Sequence, residues 1–202
     1  MSNPVTDFNS AAGTYNFVER YCITGTCYSG YGTFQITSAG TWTSCPSGNL
    51  ATGCPGPSNS GTLNSLGGGK WQVLKGATDI GTAFVLNSGG QNVVVLDMKN
   101  ASNGIGILVG SSQQSVSSAQ TNGTWVSAST TGLNATFSAS GSLLSYQSVN
   151  GVQSSSTSTI TSNSPWAGLA TTPSGGHGLL AGTGVYAYEN AGGYAEIGIK
   201  IN

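Results

Sequence analysis

The sequence predicts an all-β protein, a single antiparallel barrel of about 8–12 strands, with a two-sheet β-sandwich as the alternative. Three observations carry this. Charged residues fill only 5% of the 202 positions, against about a quarter in an ordinary soluble domain, so there is too little Lys and Glu to cover the outer face of long helices. β-Branched and aromatic residues fall instead in short runs punctuated by Gly, Asn and Ser, the pattern of strands and tight turns. Finally, motifs of the first half return in the same order in the second. Closure into a barrel suits these strands, which carry almost no edge lysine to block pairing with other molecules.

In chain order the candidate strands are Tyr15–Tyr21, Thr33–Thr37, Thr41–Cys45, Trp71–Lys75, Thr82–Leu86, Asn92–Met98, Ile105–Val109, Trp125–Ser129, Leu133–Ser138, Leu143–Val149, Gly184–Tyr188 and Tyr194–Ile201. Ser38-Ala39-Gly40, Ser88-Gly89-Gly90 and Ala191-Gly192-Gly193 separate alternating runs as hairpin turns, with Gly supplying the positive φ. In the last strand Ala195, Ile197, Ile199 and Ile201 share one face while Tyr194, Glu196 and Lys200 share the other, which predicts an inward aliphatic row.

The repeat organises the chain. Gly13-Thr14-Tyr15 returns as Gly123-Thr124-Trp125, Gly32-Thr33-Phe34 as Ala135-Thr136-Phe137, the Trp71 segment as Trp166, and FVLNSGGQNVVVL as AYENAGGYAEIGI. Between them SSQQSVSSAQTN, residues 111–122, has the composition of a crossover. One domain over 1–202 is expected, with half-repeats of about 12–110 and 123–202 sharing one barrel, because about 100 residues with so little aliphatic content bury a thin core. Trp71 and Trp166 are expected to close that core from equivalent places.

The four cysteines, Cys22, Cys27, Cys45 and Cys54, sit at short spacings in loops of Gly, Pro and Ser. Zinc needs paired CxxC-type thiolates or nearby histidines, which this spacing lacks, so two disulfides are expected, Cys22 with Cys27 and Cys45 with Cys54. Disulfides imply an oxidising compartment: periplasm, outer cell surface or medium. No apolar signal core lies in residues 1–21, and a native signal segment is expected to have preceded them.

The segments AAGTYNFVERYC, YGTFQITSAGTWTSC and TDIGTAFVLNSGGQNVVVLD, with the cysteine loop between them, resemble uncharacterised secreted or lipid-anchored surface antigens of Burkholderia-type bacteria. The resemblance covers most of the chain and implies an extracytoplasmic bacterial protein; it brings no activity with it. The Gly-Thr-Tyr start is also similar to the Gly-x-Trp first strand of calycin-type barrels.

Five basic against six acidic residues, unclustered, remove the electrostatic footprint that nucleic acid requires. No run of about 18 apolar residues exists to span a membrane, and strands of about five to seven residues fall short of the 9–11 of an outer-membrane barrel. Any Ser-His-Asp mechanism must use the sole histidine, His177 in TPSGGHG, with Asp7, Asp79 or Asp97; without a nucleophile elbow, His177 reads as an exposed loop residue. A glycosidase-type carboxylate pair must come from Asp7, Glu19, Asp79, Asp97, Glu189 and Glu196. Asp97, Asn100 and Asn103 have oxygen ligands but too few carboxylates for calcium, and are expected to stabilise a turn. No catalytic residue, metal or cofactor is therefore expected.

What remains is recognition. Tyr28 and Tyr31, in CYSGYG, and Leu50, in the Pro-stiffened loop from Cys45 to Cys54, are the candidate ligand-binding residues, since rigid loops presenting rings lose little entropy on binding. The expected function is a secreted or cell-surface non-enzymatic binding protein, monomeric, whose partner is a surface glycan, a protein or a small apolar ligand. The alternatives are an inhibitor or effector acting through the Cys45–Cys54 loop, and an extracellular hydrolase.

Overall fold

The computed structural model describes residues 3–201 apart from 101, 103, 181, 183, 191 and 192, so Asn103 and the Ala191-Gly192 half of one expected turn lie outside the described residues. The N-terminal half runs β1 (Asn3–Pro4), α1 (Phe8–Ala11), β2 (Gly13–Ile23), β3 (Thr26–Ile36), β4 (Thr41–Pro46), β5 (Asn59–Gly67), β6 (Lys70–Lys75), β7 (Thr78–Ser88), β8 (Gln91–Asn100) and β9 (Gly104–Ser112). The C-terminal half continues with α2 (Ser118–Thr121), β10 (Gly123–Ser129), β11 (Asn134–Ser140), β12 (Leu143–Val149), β13 (Val152–Gln153), β14 (Thr157–Thr159), β15 (Thr161–Ser162), β16 (Leu169–Thr171), β17 (His177–Leu180), β18 (Val185–Asn190) and β19 (Tyr194–Lys200).

The protein is all-β and contains an antiparallel eight-stranded barrel. Its partition differs from the expected one. Residues 13–112 complete the barrel alone: each strand from β2 to β9 pairs with the next, and β9 returns to β2 from Tyr15↔Ser112 to Cys22↔Ile105. The second half forms a sheet of its own, ordered β13-β12-β11-β10-β19-β18-β17-β16-β15, with β14 also on β12. Because β14 and β15 are consecutive pieces of one segment, 157–162, that segment pairs β12 through Leu143↔Thr159 and β16 through Thr161↔Thr171, and the sheet curls round until its ends meet there.

Each half begins the same way. Asp7 caps α1 by accepting from the Ser10 N–H at 2.8 Å, and the Ser117 N–H donates to Gln120 Oε1 at 2.9 Å ahead of α2. The Tyr15 hydroxyl then donates to the Ala11 carbonyl, as the Trp125 indole N–H donates to Thr121, each four residues back. Tyr15 faces Phe34 across β2–β3, and Trp125 faces Phe137 across β10–β11, as the repeat predicts. These one-turn helices plug the two interiors at their feet. In the first, Phe8 packs on Trp71 with ring centroids 4.7 Å apart.

In the first barrel alternate residues point inward, Tyr15, Phe17 and Tyr21 on β2, Phe34 and Ile36 on β3, Val94 and Met98 on β8, and form one core. The opposite face of β2 and β9, with Val18 and Val109, packs against Leu169, Leu179 and Ala187 of the second half, so the two units sit wall to wall. Asn16, fully buried, joins them: it donates to the Ala167 carbonyl at 2.7 Å and accepts from the Trp166 indole at 2.8 Å. The Ser-rich crossover is held by Asn163, whose amide bonds both the N–H and C=O of Val116.

Three expectations are corrected. The inward face of β19 is the one bearing Tyr194 and Glu196, and Ile199 and Ile201 are 58% and 55% exposed. The reason is space: Tyr186 lies over Gly198, where an added Cβ would come within 3.1 Å of its ring, so the tyrosines of β18 fill the interior and leave β19 only small or polar inward residues. Ala195 is buried and Ile197 partly buried, but on the outer wall towards the first barrel. Second, Trp166 is not the counterpart of Trp71; Trp71 is core, whereas Trp166 is half-buried between the units. Third, strands are longer than read, 11 residues in β2, β3 and β7. The outer wall at β6–β8 carries Gln72, Asp79 and Lys99, linked by an ion pair of 3.1 Å and a hydrogen bond of 2.9 Å. No helix among the described residues is long and apolar enough to cross a membrane.

Candidate functional site

The first barrel is closed at its foot by α1 and open at the other end, where the β2–β3 turn, the loop after β4 and the β6–β7 turn gather. Inside that open end is a cavity of about 350 Å³, within the usual size of a small-molecule site. Its walls are mostly apolar, with Ile36, Leu63, Val73, Val94 and Leu96 joined by the rings of Tyr21, Phe34 and Trp42. Ile23, Pro46, Asn59 and Lys75 stand nearer the mouth, where the Lys75 ammonium donates to Asn59 Oδ1 at 2.9 Å.

One charged group sits among the inner walls. Glu19 is two residues deeper on β2 than Tyr21 and opposite Gly30 of β3. Its carboxyl lies over that glycine, where a Cβ would stand 3.4 Å from Oε1. Among the described residues no hydrogen bond or ion pair reaches it. Burial, and then the like charge of Glu189 across the barrel wall, push its pKa up to about 7. Tyr21 is raised too, by burial and then by Glu19.

The second unit encloses a smaller space of about 130 Å³, lined by Trp125, Phe137, Tyr146, Tyr186, Tyr188 and Glu196 among others. Glu196 is 6% exposed and accepts hydrogen bonds from the Ser127 and Tyr194 hydroxyls. Burial, reinforced by Glu196, pushes Tyr146 up to about 12 and raises Tyr186 and Tyr194. These phenols stay protonated at any physiological pH, and that of Tyr194 donates to Glu196.

The candidate recognition residues do not form one patch. Tyr28 and Tyr31 lie an odd number of residues apart on one strand, so they face opposite sides. Tyr28, 46% exposed, shares the inner face with Tyr21, its rings stacking at 5.5 Å, and belongs to the rim of the first barrel. Tyr31 points out and stacks on His177 with centroids 3.4 Å apart, inside the contact between the two units. Leu50 is half-buried, because the loop folds back on the wall: the Leu50 N–H donates to Thr33 Oγ1 at 2.9 Å, and the Thr33 hydroxyl donates to the Gly48 carbonyl. Both expected disulfides are present, Cys22–Cys27 and Cys45–Cys54. The first one staples the hairpin on which the second unit rests, with the Ser29 hydroxyl donating to Asn190 and the Arg20 guanidinium to Gly193.

His177 is not a loop residue. It opens β17 opposite Glu189 of β18, its Nδ1 is 2.7 Å from Glu189 Oε1, and Tyr31 covers its ring. Both members of the pair belong to the second unit, and it is the stack of Tyr31 on His177 that crosses to the first barrel. Asn100 makes the expected turn, its Oδ1 accepting from the Ser102 N–H at 3.0 Å. Among the described residues no cluster of three or more His, Cys, Asp or Glu is placed to hold a metal. Sequence reading left open whether the barrel is hollow and missed Glu19's place in it; the one available signal was the alternation of β2, Tyr15, Phe17, Glu19, Tyr21, which sets Glu19 on an aromatic inward face.

No protein-family model and no curated protein matches the chain. Among solved structures it is similar to a protein of unknown function of the DUF3598 family from Nostoc punctiforme, at 10% identity over 96% of this chain and 97% of that one, with a TM-score of 0.29.

Proposed function

We propose that this protein is a non-enzymatic binding protein that takes a small, largely apolar molecule into the cavity of its N-terminal barrel, through the end beside the two disulfides. The observation that carries this is the cavity itself: about 350 Å³, walled by aliphatic and aromatic side chains on a hydrogen-bonded closed barrel. Of the partners expected from sequence, a glycan wants exposed rings, and only Tyr28 of the candidate aromatics is exposed. A protein target for the Cys45–Cys54 loop has less support, since its Leu50 region is tied to the barrel wall. Two disulfides accord with an extracytoplasmic setting, and the surface-antigen resemblance fits that same reading.

Octanol, titrated calorimetrically into the protein, tests it. We expect saturable one-to-one binding and a raised melting temperature, both lost in Ser44→Phe, which places a ring in the cavity from a partly buried lining position. Equal binding by a folded Ser44→Phe variant, or no binding by the wild type, overturns the proposal.

A further inference from the structure

We infer that the ligand of the first barrel carries a cationic nitrogen on its apolar body, an aliphatic or arylalkyl amine, and that Glu19 is the group that receives it. The inference rests on the cavity being the ligand site. Glu19 stands part-way down that cavity: Tyr21 and Ile23 above it on β2 line the way out, while Phe34 and Ile36, which pair with Tyr15 and Gly13, line it deeper in the barrel. A ligand that enters from the disulfide end with its apolar tail leading, towards Ile36 and Val94, therefore brings the polar group behind that tail alongside this carboxyl.

A carboxyl among apolar walls without a protein partner is costly to ionise and gains most from a partner that brings positive charge. Among the described residues no protein cation is positioned to do so. Lys75 stands at the mouth and is engaged by Asn59, and Arg20, next to Glu19 in sequence, points to the other face and donates to Gly193. The titratable groups near Glu19 are Tyr21 on its own strand and Glu189 across the wall, and the second adds negative charge. Tyr21, Phe34 and Trp42 line the same cavity, and aromatic rings attract alkylammonium groups. Gly30 opposite leaves clearance over the carboxyl that a larger residue would fill.

Octylamine, octanol and octanoate, titrated into the wild type and Glu19→Gln at pH 6, 7 and 8, test it. We expect octylamine to bind at least tenfold more tightly than octanol at pH 8, with octanoate weakest. The amine's affinity should rise about tenfold from pH 6 to pH 8, because binding needs the carboxyl ionised and its pKa is about 7. Octanol should show no such rise. In Glu19→Gln the amine's advantage and its pH dependence should vanish, while octanol still binds and so reports an intact cavity. Octanol or octanoate binding as tightly as the amine, or an amine preference surviving in Glu19→Gln, refutes the inference and leaves the cavity as a site; failure of all three to bind removes both.

Discussion

Tyr15 in the N-terminal barrel and Trp125 in the C-terminal unit hold one position, two residues into the first strand with the polar head bonded four residues back, yet the interiors they floor are different. The first is ringed by eight mutually paired strands and lined with aliphatic residues round a cavity of about 350 Å³. The second closes through one split segment and is crowded with tyrosines round about 130 Å³. Long strands paired on both sides keep a wide wall without filling the middle, whereas short strands leave a gap that bulky rings must occupy. The first unit keeps an open cavity, and the outer wall of the second covers β2, β3 and β9.

The largest effects should come from the two floors. Trp71→Ala and Trp125→Ala each remove a fully buried indole and should cost about 3–5 kcal/mol. Urea denaturation followed by near-UV circular dichroism checks this. A single shared transition in both variants would mean that the units fold together, and two transitions in Trp125→Ala alone would mean that the first barrel stands without the second unit. Next, Leu179→Ala opens a hole in the wall between the units, where Leu179 is fully buried, and should lower stability by about 2–4 kcal/mol. If octanol affinity falls with it, the second unit also shapes the cavity.

A smaller effect separates the carboxylates of Glu19 and Glu196, one in each interior. The folded pKa of Glu19, about 7, lies above its ordinary 4.5, so between those values the folded protein keeps a proton that the unfolded chain gives up. Stability should therefore fall as pH rises from about 4.5 to 7, by about 1–2 kcal/mol after allowing for the solvated cavity. Glu19→Gln should flatten that slope, as denaturation midpoints at pH 4.5, 6 and 7.5 will show; Glu196→Gln, which leaves a carbonyl acceptor for only one of the Ser127 and Tyr194 hydroxyls, should lower stability at all three pH values. The smallest effect is expected of Ile199→Ala, under about 0.5 kcal/mol, because its side chain faces solvent. A loss above 2 kcal/mol by thermal melting would mean that β19 turns its other face inward.

All twelve candidate strands overlap observed ones, both cysteine pairs are as expected, and the aromatic pairs opening the two halves fall where the repeat put them. These features depend on neighbours close in sequence: β-branched runs, turn glycines, short loops that bring thiols together. β5 escaped notice because Leu63 is its sole buried side chain in NSGTLNSLG, so its run shows no apolar alternation. The site was less legible. Glu19 was one of six scattered acids and His177 a residue of a glycine-rich loop, until the pairing of β2 with β3 and of β17 with β18 gave each its neighbours.

Alternation along β19 separated its two faces correctly and named the wrong one as inward. An aliphatic stripe is buried wherever a partner covers it, and here the partner is the other barrel, over Ala195 and Ile197 only. Which face meets a core, where the second sheet closes, and whether the first barrel is filled or hollow all depend on contacts between residues far apart in the chain. Composition and periodicity record that a residue can be buried; the volume available across a barrel, set by strand pairing and by the size of the opposing side chains, records where.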